Sequence, residues 1–189
     1  MADIFSIFLL MVILVFSIFW IFFNFSLFYS DLVGAPFIPL RKKYIREILA
    51  IGHLKKEDIF YDLGSGDGRV LISAVKDFGV KEARGLEISP FPYWFSKILI
   101  KSKGLRSKIK VFHKNLAQLE KSDLDEASVV FLYLFPKITE KLFQSAFLFL
   151  KPGTKIICVS FHPKVIDDHF KFSLSKKVGW HLIYFYQRI

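Results

Sequence analysis

Apolar residues fill the first thirty positions almost without interruption, and then the chain breaks into short segments of changing period. Between Ile4 and Phe28 only Ser6, Ser17, Asn24 and Ser26 are polar, and no residue from Ile4 to Ser30 is charged. Apolar side chains cover every face of this stretch, which predicts a helix in a uniformly apolar medium instead of one lying along a protein surface. At about 1.5 Å per residue, 25 residues reach roughly 37 Å against a hydrocarbon thickness of about 30 Å, enough to span with some tilt. Phe, Ile, Leu and Val fill most of positions 5–23 and favour insertion by roughly 5 to 9 kcal/mol. A cleaved signal peptide is the competing reading. No Lys or Arg precedes the run, however, and the run exceeds the usual apolar core of such a peptide.

Past the span, Gly34, Pro36 and Pro39 stop the helix and impose an extended path. Helical spacing resumes at Tyr44, Ile45, Ile48 and Leu49, with Gly52 where a C-terminal cap is expected. Strands are then predicted at 58–63, 82–88, 109–112, 129–135 and 154–161. The first is followed by a helix carrying Val70, Leu71, Ala74, Val75 and Phe78, the second by one starting at Ser89 and Pro90 and stopping at Gly104. A further helix is expected over 137–150, before the turn Lys151-Pro152-Gly153. The unbroken apolar run 129–135 reads as a strand buried on both faces, as parallel strands are. Two last extended segments, 170–176 and 181–187, read as an antiparallel hairpin through 177–180. The expected organisation is an anchor at 1–30, a linker with lead-in helix at 31–53, and an α/β domain at 54–189, large enough to bury a full core.

Charge sharpens this picture. All 27 Lys and Arg lie beyond residue 30, against 17 acidic residues and a formal net charge of +10. Arg41, Lys42, Lys43 and Arg46 follow the span while only Asp3 precedes it, so the positive-inside rule puts the domain on the cytoplasmic side. The excess would attract anionic lipid head groups or nucleic acid. Because the Lys residues are spread out and form no dense basic arm, a basic surface facing the membrane is the preferred reading. Cys158 is the single cysteine, and the five histidines show no spacing that zinc requires, so no metal is expected. His162 reads as a loop histidine.

Chemistry concentrates at Tyr61 to Arg69, which read Tyr-Asp-Leu-Gly-Ser-Gly-Asp-Gly-Arg at the end of the first strand. Three glycines at alternate positions let the main chain bend sharply and approach a ligand, and the following helix turns free N–H groups toward it. Glu87 ends the next strand and can accept both hydroxyls of a ribose. Dinucleotide folds use G-x-G-x-x-G, whereas this chain has Asp62-x-Gly64-x-Gly66-x-Gly68.

That turn resembles motif I of class I S-adenosylmethionine-dependent methyltransferases. The resemblance implies a Rossmann-like sheet with helices on both faces, a closing β-hairpin and S-adenosyl-L-methionine as cofactor. Asp62, Gly64, Ser65, Gly66, Asp67 and Gly68 would surround its methionine part, with the ammonium near the acid and the carboxylate near backbone N–H groups. Glu87 would take the ribose. Asn115, followed by Leu116, falls where methyltransferases place an acid or amide beside the adenine amine, with an ordinary turn Asn as the alternative. Asp67 and Arg69 also read as a helix-start acid and a surface base. The fourth strand ends Leu132-Tyr133-Leu134-Phe135-Pro136, without the Asn-Pro-Pro-Tyr of amide and adenine N-methyltransferases. Tyr133 and the carbonyls before Pro136 are the candidates for the acceptor site, with a packed strand aromatic as the alternative for Tyr133.

The whole layout is similar to a narrower group, the single-span lysine methyltransferases that in mitochondria modify the ATP synthase c-subunit and the adenine nucleotide translocase, with their prokaryotic relatives. It rests on the uncharged span, Pro36-Phe37-Ile38-Pro39, the motif I turn, Gly85-Leu86-Glu87-Ile88, the Tyr133 segment and Lys151-Pro152-Gly153-Thr154. The resemblance implies a lysine of a membrane protein as acceptor and places Pro36, Phe37 and Pro39 near the mouth of the site. A rigid linker is the alternative for that segment, and no Arg-rich presequence precedes the span. The rival functions are a methyltransferase for a lipid or quinone head group and a non-catalytic membrane scaffold.

Overall fold

The computed structural model describes residues 3–33, 38–164, 166 and 168–189. Pro36 and Phe37 lie outside the described residues. The first helix, α1, is Ile4–Val33, running three residues past the predicted end of the anchor, and its segment Ile4–Phe25 is long and apolar enough to cross a bilayer. Helix α2 is Lys42–Ile51. Its buried residues are the four that the spacing marked, Tyr44, Ile45, Ile48 and Leu49.

Strand and helix then alternate: β1 Ile59–Leu63, α3 Arg69–Phe78, β2 Glu82–Glu87, α4 Pro90–Ser102, β3 Ile109–His113, α5 Lys121–Leu124, β4 Val129–Leu132, α6 Pro136–Gln144, β5 Lys155–Val159, β6 Phe170–Val178 and β7 His181–Arg188. They form one sheet in the order β3-β2-β1-β4-β5-β7-β6. Strands β1 to β5 are parallel, and β7 runs antiparallel to both β5 and β6. Strand order reverses at β1, whose neighbours are β2 and β4, and open α/β sheets bind ligands at the carboxyl ends beside such a reversal.

Each face of the sheet is covered. Phe60, Phe131, Ile157 and Phe185 pack under α2 and α3, while Val130, Leu132, Ile156 and Tyr186 meet Leu142, Phe143 and Phe147 on the other side. Two predicted elements are shorter than their apolar runs. Strand β4 stops at Leu132, because its partners there, Leu63 and Cys158, are the last or next-to-last paired residues of β1 and β5. Beyond them β1 enters the glycine turn. The helix expected over 137–150 ends at Gln144 and resumes as a 3₁₀ turn, Ala146–Phe149. Ser145 interrupts it, its Oγ donating to the Lys141 carbonyl at 2.7 Å, a side-chain bond that competes with the helical ladder.

Candidate functional site

The carboxyl ends of β1, β2, β4 and β5 surround one cleft, lined by Asp62, Ser65 and Glu87 on one side and by Tyr133, Phe135 and Phe161 on the other. Asp62 is the fourth residue of a five-residue strand, so its side chain is carried by a fully paired segment between Gly85 and Phe131. It is 2% exposed. Among the described residues no donor reaches its carboxylate. Burial, followed by the charges of Glu87 and Asp67, holds its pKa well above the usual carboxylate range. A buried acid in that state is completed by a cation.

The turn after β1 is fixed by its neighbour strand. Gly64 and Ser65 donate their N–H groups to the Leu86 carbonyl at 2.8 and 3.1 Å, and Gly68 donates to the Ser65 carbonyl at 2.9 Å. Gly64, Gly66 and Gly68 have φ of 79°, 53° and 77°, the left-handed region that side chains resist. Gly66 donates to Glu87 Oε2 and Ser89 to Glu87 Oε1, both at 2.7 Å. Glu87 therefore clamps turn to strand, and each of its oxygens keeps a lone pair for a ligand hydroxyl. Burial raises its pKa, opposed by the bonds from Ser89 and Gly66. Among the described residues the buried Ser65 hydroxyl has no hydrogen-bond partner. Since the amides of Gly64, Ser65, Gly66 and Gly68 are spent internally, the site meets a ligand here chiefly with side chains.

Arg69, read from sequence as a surface base, forms part of the cleft. Its Nε and Nη2 grip Asp67 at 2.9 and 2.5 Å, and its Nη1 donates to the Leu40 carbonyl at 3.1 Å. That bond ties the segment Ile38-Pro39-Leu40, which also lines the cleft, to the turn. Ser160 and His181 were missed altogether. Ser160 holds a left-handed φ of 67° and its Oγ lies 2.8 Å from His181 Nδ1. The His181 ring stands edge-on to Tyr133 at 5.4 Å and to Tyr44 at 5.7 Å, and burial lowers its pKa. A non-glycine residue after a strand end offers no sequence signal for such a conformation.

The structure brings Asp62, Gly64, Ser65, Asp67, Glu87, Leu116 and Tyr133 to the cleft wall. Gly66 and Gly68 stand behind it and shape the turn. Two candidates fall elsewhere. The Asn115 carboxamide folds back onto its own chain, accepting from the Ala117 N–H at 2.9 Å and capping the 3₁₀ turn Leu116–Gln118. Pro136 is exposed and starts α6, where its fixed φ and missing N–H suit a first helical position. Cys158 is buried in β5 and His162 packs on Tyr184 at 4.3 Å. Among the described residues no group of His, Cys, Asp and Glu is arranged to hold a metal.

This fold and cleft define a class I methyltransferase, with S-adenosylmethionine as its cofactor. The family described as ANTKMT methyltransferase domain matches residues 62–168. A protein-lysine N-methyltransferase of Saccharolobus islandicus is 35% identical over 126 residues, 67% of this chain and 76% of that protein. The ATP synthase c-subunit lysine N-methyltransferase of Mus musculus is 27% identical over 135 residues, 71% of this chain, and the match spans 52% of the mouse protein's length. An RNA methyltransferase from Salinibacter ruber, crystallised with S-adenosyl-L-homocysteine, superposes with a TM-score of 0.70 at 28% identity, over 80% of this chain and 94% of that one. The chain belongs to the ANTKMT methyltransferase domain family.

The cofactor fits the residues present. Asp62, whose carboxylate no described donor reaches, would hold its ammonium, Glu87 would hold its ribose, and Leu86, Ile88 and Leu116 would supply apolar walls for a flat base. The raised pKa of Asp62 sets a pH dependence. In the ligand-free fold the ionised form is disfavoured, so stability falls as pH rises from the ordinary carboxylate range to the raised value. A bound ammonium reverses the preference, so affinity falls as pH is lowered through that value. Asp62→Asn is expected to raise the ligand-free melting temperature at neutral pH, weaken cofactor binding and flatten its pH profile. Titration calorimetry and thermal melts across pH measure all three.

Proposed function

We propose that this chain is a membrane-anchored protein-lysine N-methyltransferase, acting on a lysine of a membrane or membrane-adjacent protein from the cytoplasmic side. The kinship with an archaeal protein-lysine N-methyltransferase carries the acceptor class, and the apolar segment Ile4–Phe25 supports the anchor. The basic residues Arg41, Lys42, Lys43 and Arg46 after that segment support the orientation. Anchoring would raise the local concentration of embedded acceptors without any new contact.

Bound cofactor supplies an activated methyl on a sulfonium, and the protein contributes position. Asp62 would hold the donor's ammonium and Glu87 its ribose, while the glycine turn would keep Cβ atoms out of its way. A lysine acceptor must arrive as a neutral amine with a free lone pair. The mouth formed by Tyr133, Phe135 and Phe161 disfavours an ammonium by desolvation. Tyr133 and Ser160, the latter held by His181, present the polar atoms there and would orient the nitrogen. Incubation of the full chain and radiolabelled methyl donor with membranes tests the reading. Label in protein bands, on lysine after hydrolysis, supports it. Label confined to the organic extract assigns a lipid or quinone head group instead.

A further inference from the structure

Helix α4 buries Pro92, Ser96 and Ile100 against the sheet and turns an apolar line outward. Phe91, Trp94, Phe95 and Ile98 follow one another at helical spacing, and Trp94, Phe95 and Ile98 are 56%, 45% and 64% exposed. This line is continuous with α1. Phe91 meets Phe19 and Phe23 edge-on at 6.0 and 5.3 Å, and Phe95 stacks on Phe91 at 6.0 Å. Those contacts fall in the last two turns of Ile4–Phe25, where a span leaves the hydrocarbon.

Beside the apolar line runs a basic groove. Trp94 and Ile98 share it with Lys97, Lys101, Arg106 and Lys110. Lys110 is paired with Glu82 at 3.0 Å, and Lys97 lies 5.1 Å over the Trp94 ring. Among the described residues no carboxylate pairs with Lys97, Lys101 or Arg106. A second copy of the chain would bring the same cations against themselves. An anionic phospholipid surface matches both halves of the face, aromatic rings for the acyl boundary and cations for the phosphates.

We propose that α4 docks on an anionic bilayer surface, with Trp94, Phe95 and Ile98 in the boundary between head groups and acyl chains and Lys97, Lys101 and Arg106 against the lipid phosphates. The proposal rests on α1 being a membrane span. Its consequence is orientation. Helix α4 leaves the sheet directly after Glu87, through Ser89, whose N–H holds the Glu87 carboxylate, so a docked α4 keeps the cofactor end of the sheet beside the membrane.

The full chain in liposomes with brominated acyl chains provides the test, using two variants. Trp20→Phe with Trp180→Phe leaves Trp94 as reporter, and Trp94→Phe with Trp180→Phe leaves Trp20. Cofactor binding certifies the fold of each. Trp94 is expected to be quenched most by bromine near the head groups, about twofold more in vesicles containing phosphatidylglycerol than in phosphatidylcholine alone. Lys101→Glu with Arg106→Glu should abolish that difference and leave cofactor affinity unchanged. Trp20, in the last turns of the span, is expected to be quenched at upper acyl-chain positions, deeper than Trp94. Trp94 unquenched beside a quenched Trp20 overturns the docking and leaves the anchor standing. Failure of both removes anchor and docking together, and quenching of Trp94 without Trp20 overturns the proposal by removing the span on which it rests. Dimers with Trp94 shielded from bromine would assign the face to a second copy and refute the lipid proposal.

Discussion

Asp62→Ala is expected to weaken S-adenosylmethionine binding about 10- to 150-fold, the equivalent of one charge-assisted hydrogen bond of roughly 1.5 to 3 kcal/mol. The loss falls on binding because Asp62 supports nothing else. No described donor depends on it, and its ionised form is repelled by Glu87 and Asp67. Removing it should therefore leave the ligand-free melting temperature equal or higher. Glu87→Ala behaves differently. Gly66 and Ser89 lose their acceptor at 2.7 Å, two buried donors are orphaned at about 1 to 3 kcal/mol each, and the melting temperature should drop. Both substitutions together should take binding below detection. Titration calorimetry, with circular dichroism to certify the fold, gives the result. An unchanged affinity in Asp62→Ala would show that the cofactor ammonium lies elsewhere.

How much of this was legible in the sequence follows from how local each feature is. The Asp62 to Gly68 turn occupies seven consecutive residues, and Glu87 ends the next strand, so parallel pairing of Asp62 with Gly85 places the two acids at the same sheet edge. A period-two and period-3.6 reading is enough for that. Arg69 escaped because its decisive partner is the carbonyl of Leu40, 29 positions away, and a backbone acceptor carries no residue-type signal. Ser160 and His181 meet across 21 positions through an antiparallel pairing whose register depends on the hairpin turn. Asn115 shows the opposite case. Its amide satisfies the Ala117 N–H two residues on, a local bond that outcompetes a distant role. The aromatic line of α4 was invisible as a surface because apolar residues lie on both its buried and exposed sides, and periodicity cannot tell which side is covered.

Gly85→Val is expected to disable the enzyme from behind the site, without touching a ligand contact. Gly85 sits in β2 between Asp62 and Val111, with an ordinary extended backbone, so its requirement is space. A Cβ at this position would lie 2.5 Å from Ser65 Oγ, 2.8 Å from Ser65 Cβ and 2.7 Å from Leu71 Cδ1. The near atoms of Ser65 belong to a short side chain on a turn whose amides are bonded to Leu86, so it cannot swing away without moving the main chain. Overpacking of this kind costs about 1 to 3 kcal/mol, and the relief available is displacement of the turn toward the cleft, where a Cβ on Gly64 would already meet Leu134 at 2.7 Å. Cofactor affinity should then fall at least as far as in Asp62→Ala, together with a lowered melting temperature. Gly85→Ala, with the same Cβ and no further atoms, should give a smaller loss of both. Ser65→Gly in the Gly85→Ala background removes the obstructing side chain and should recover the melting temperature. Failure of that rescue would mean that Leu71, at the start of α3, is the contact that matters, and that the turn is held by the helix instead of by the strand beneath it.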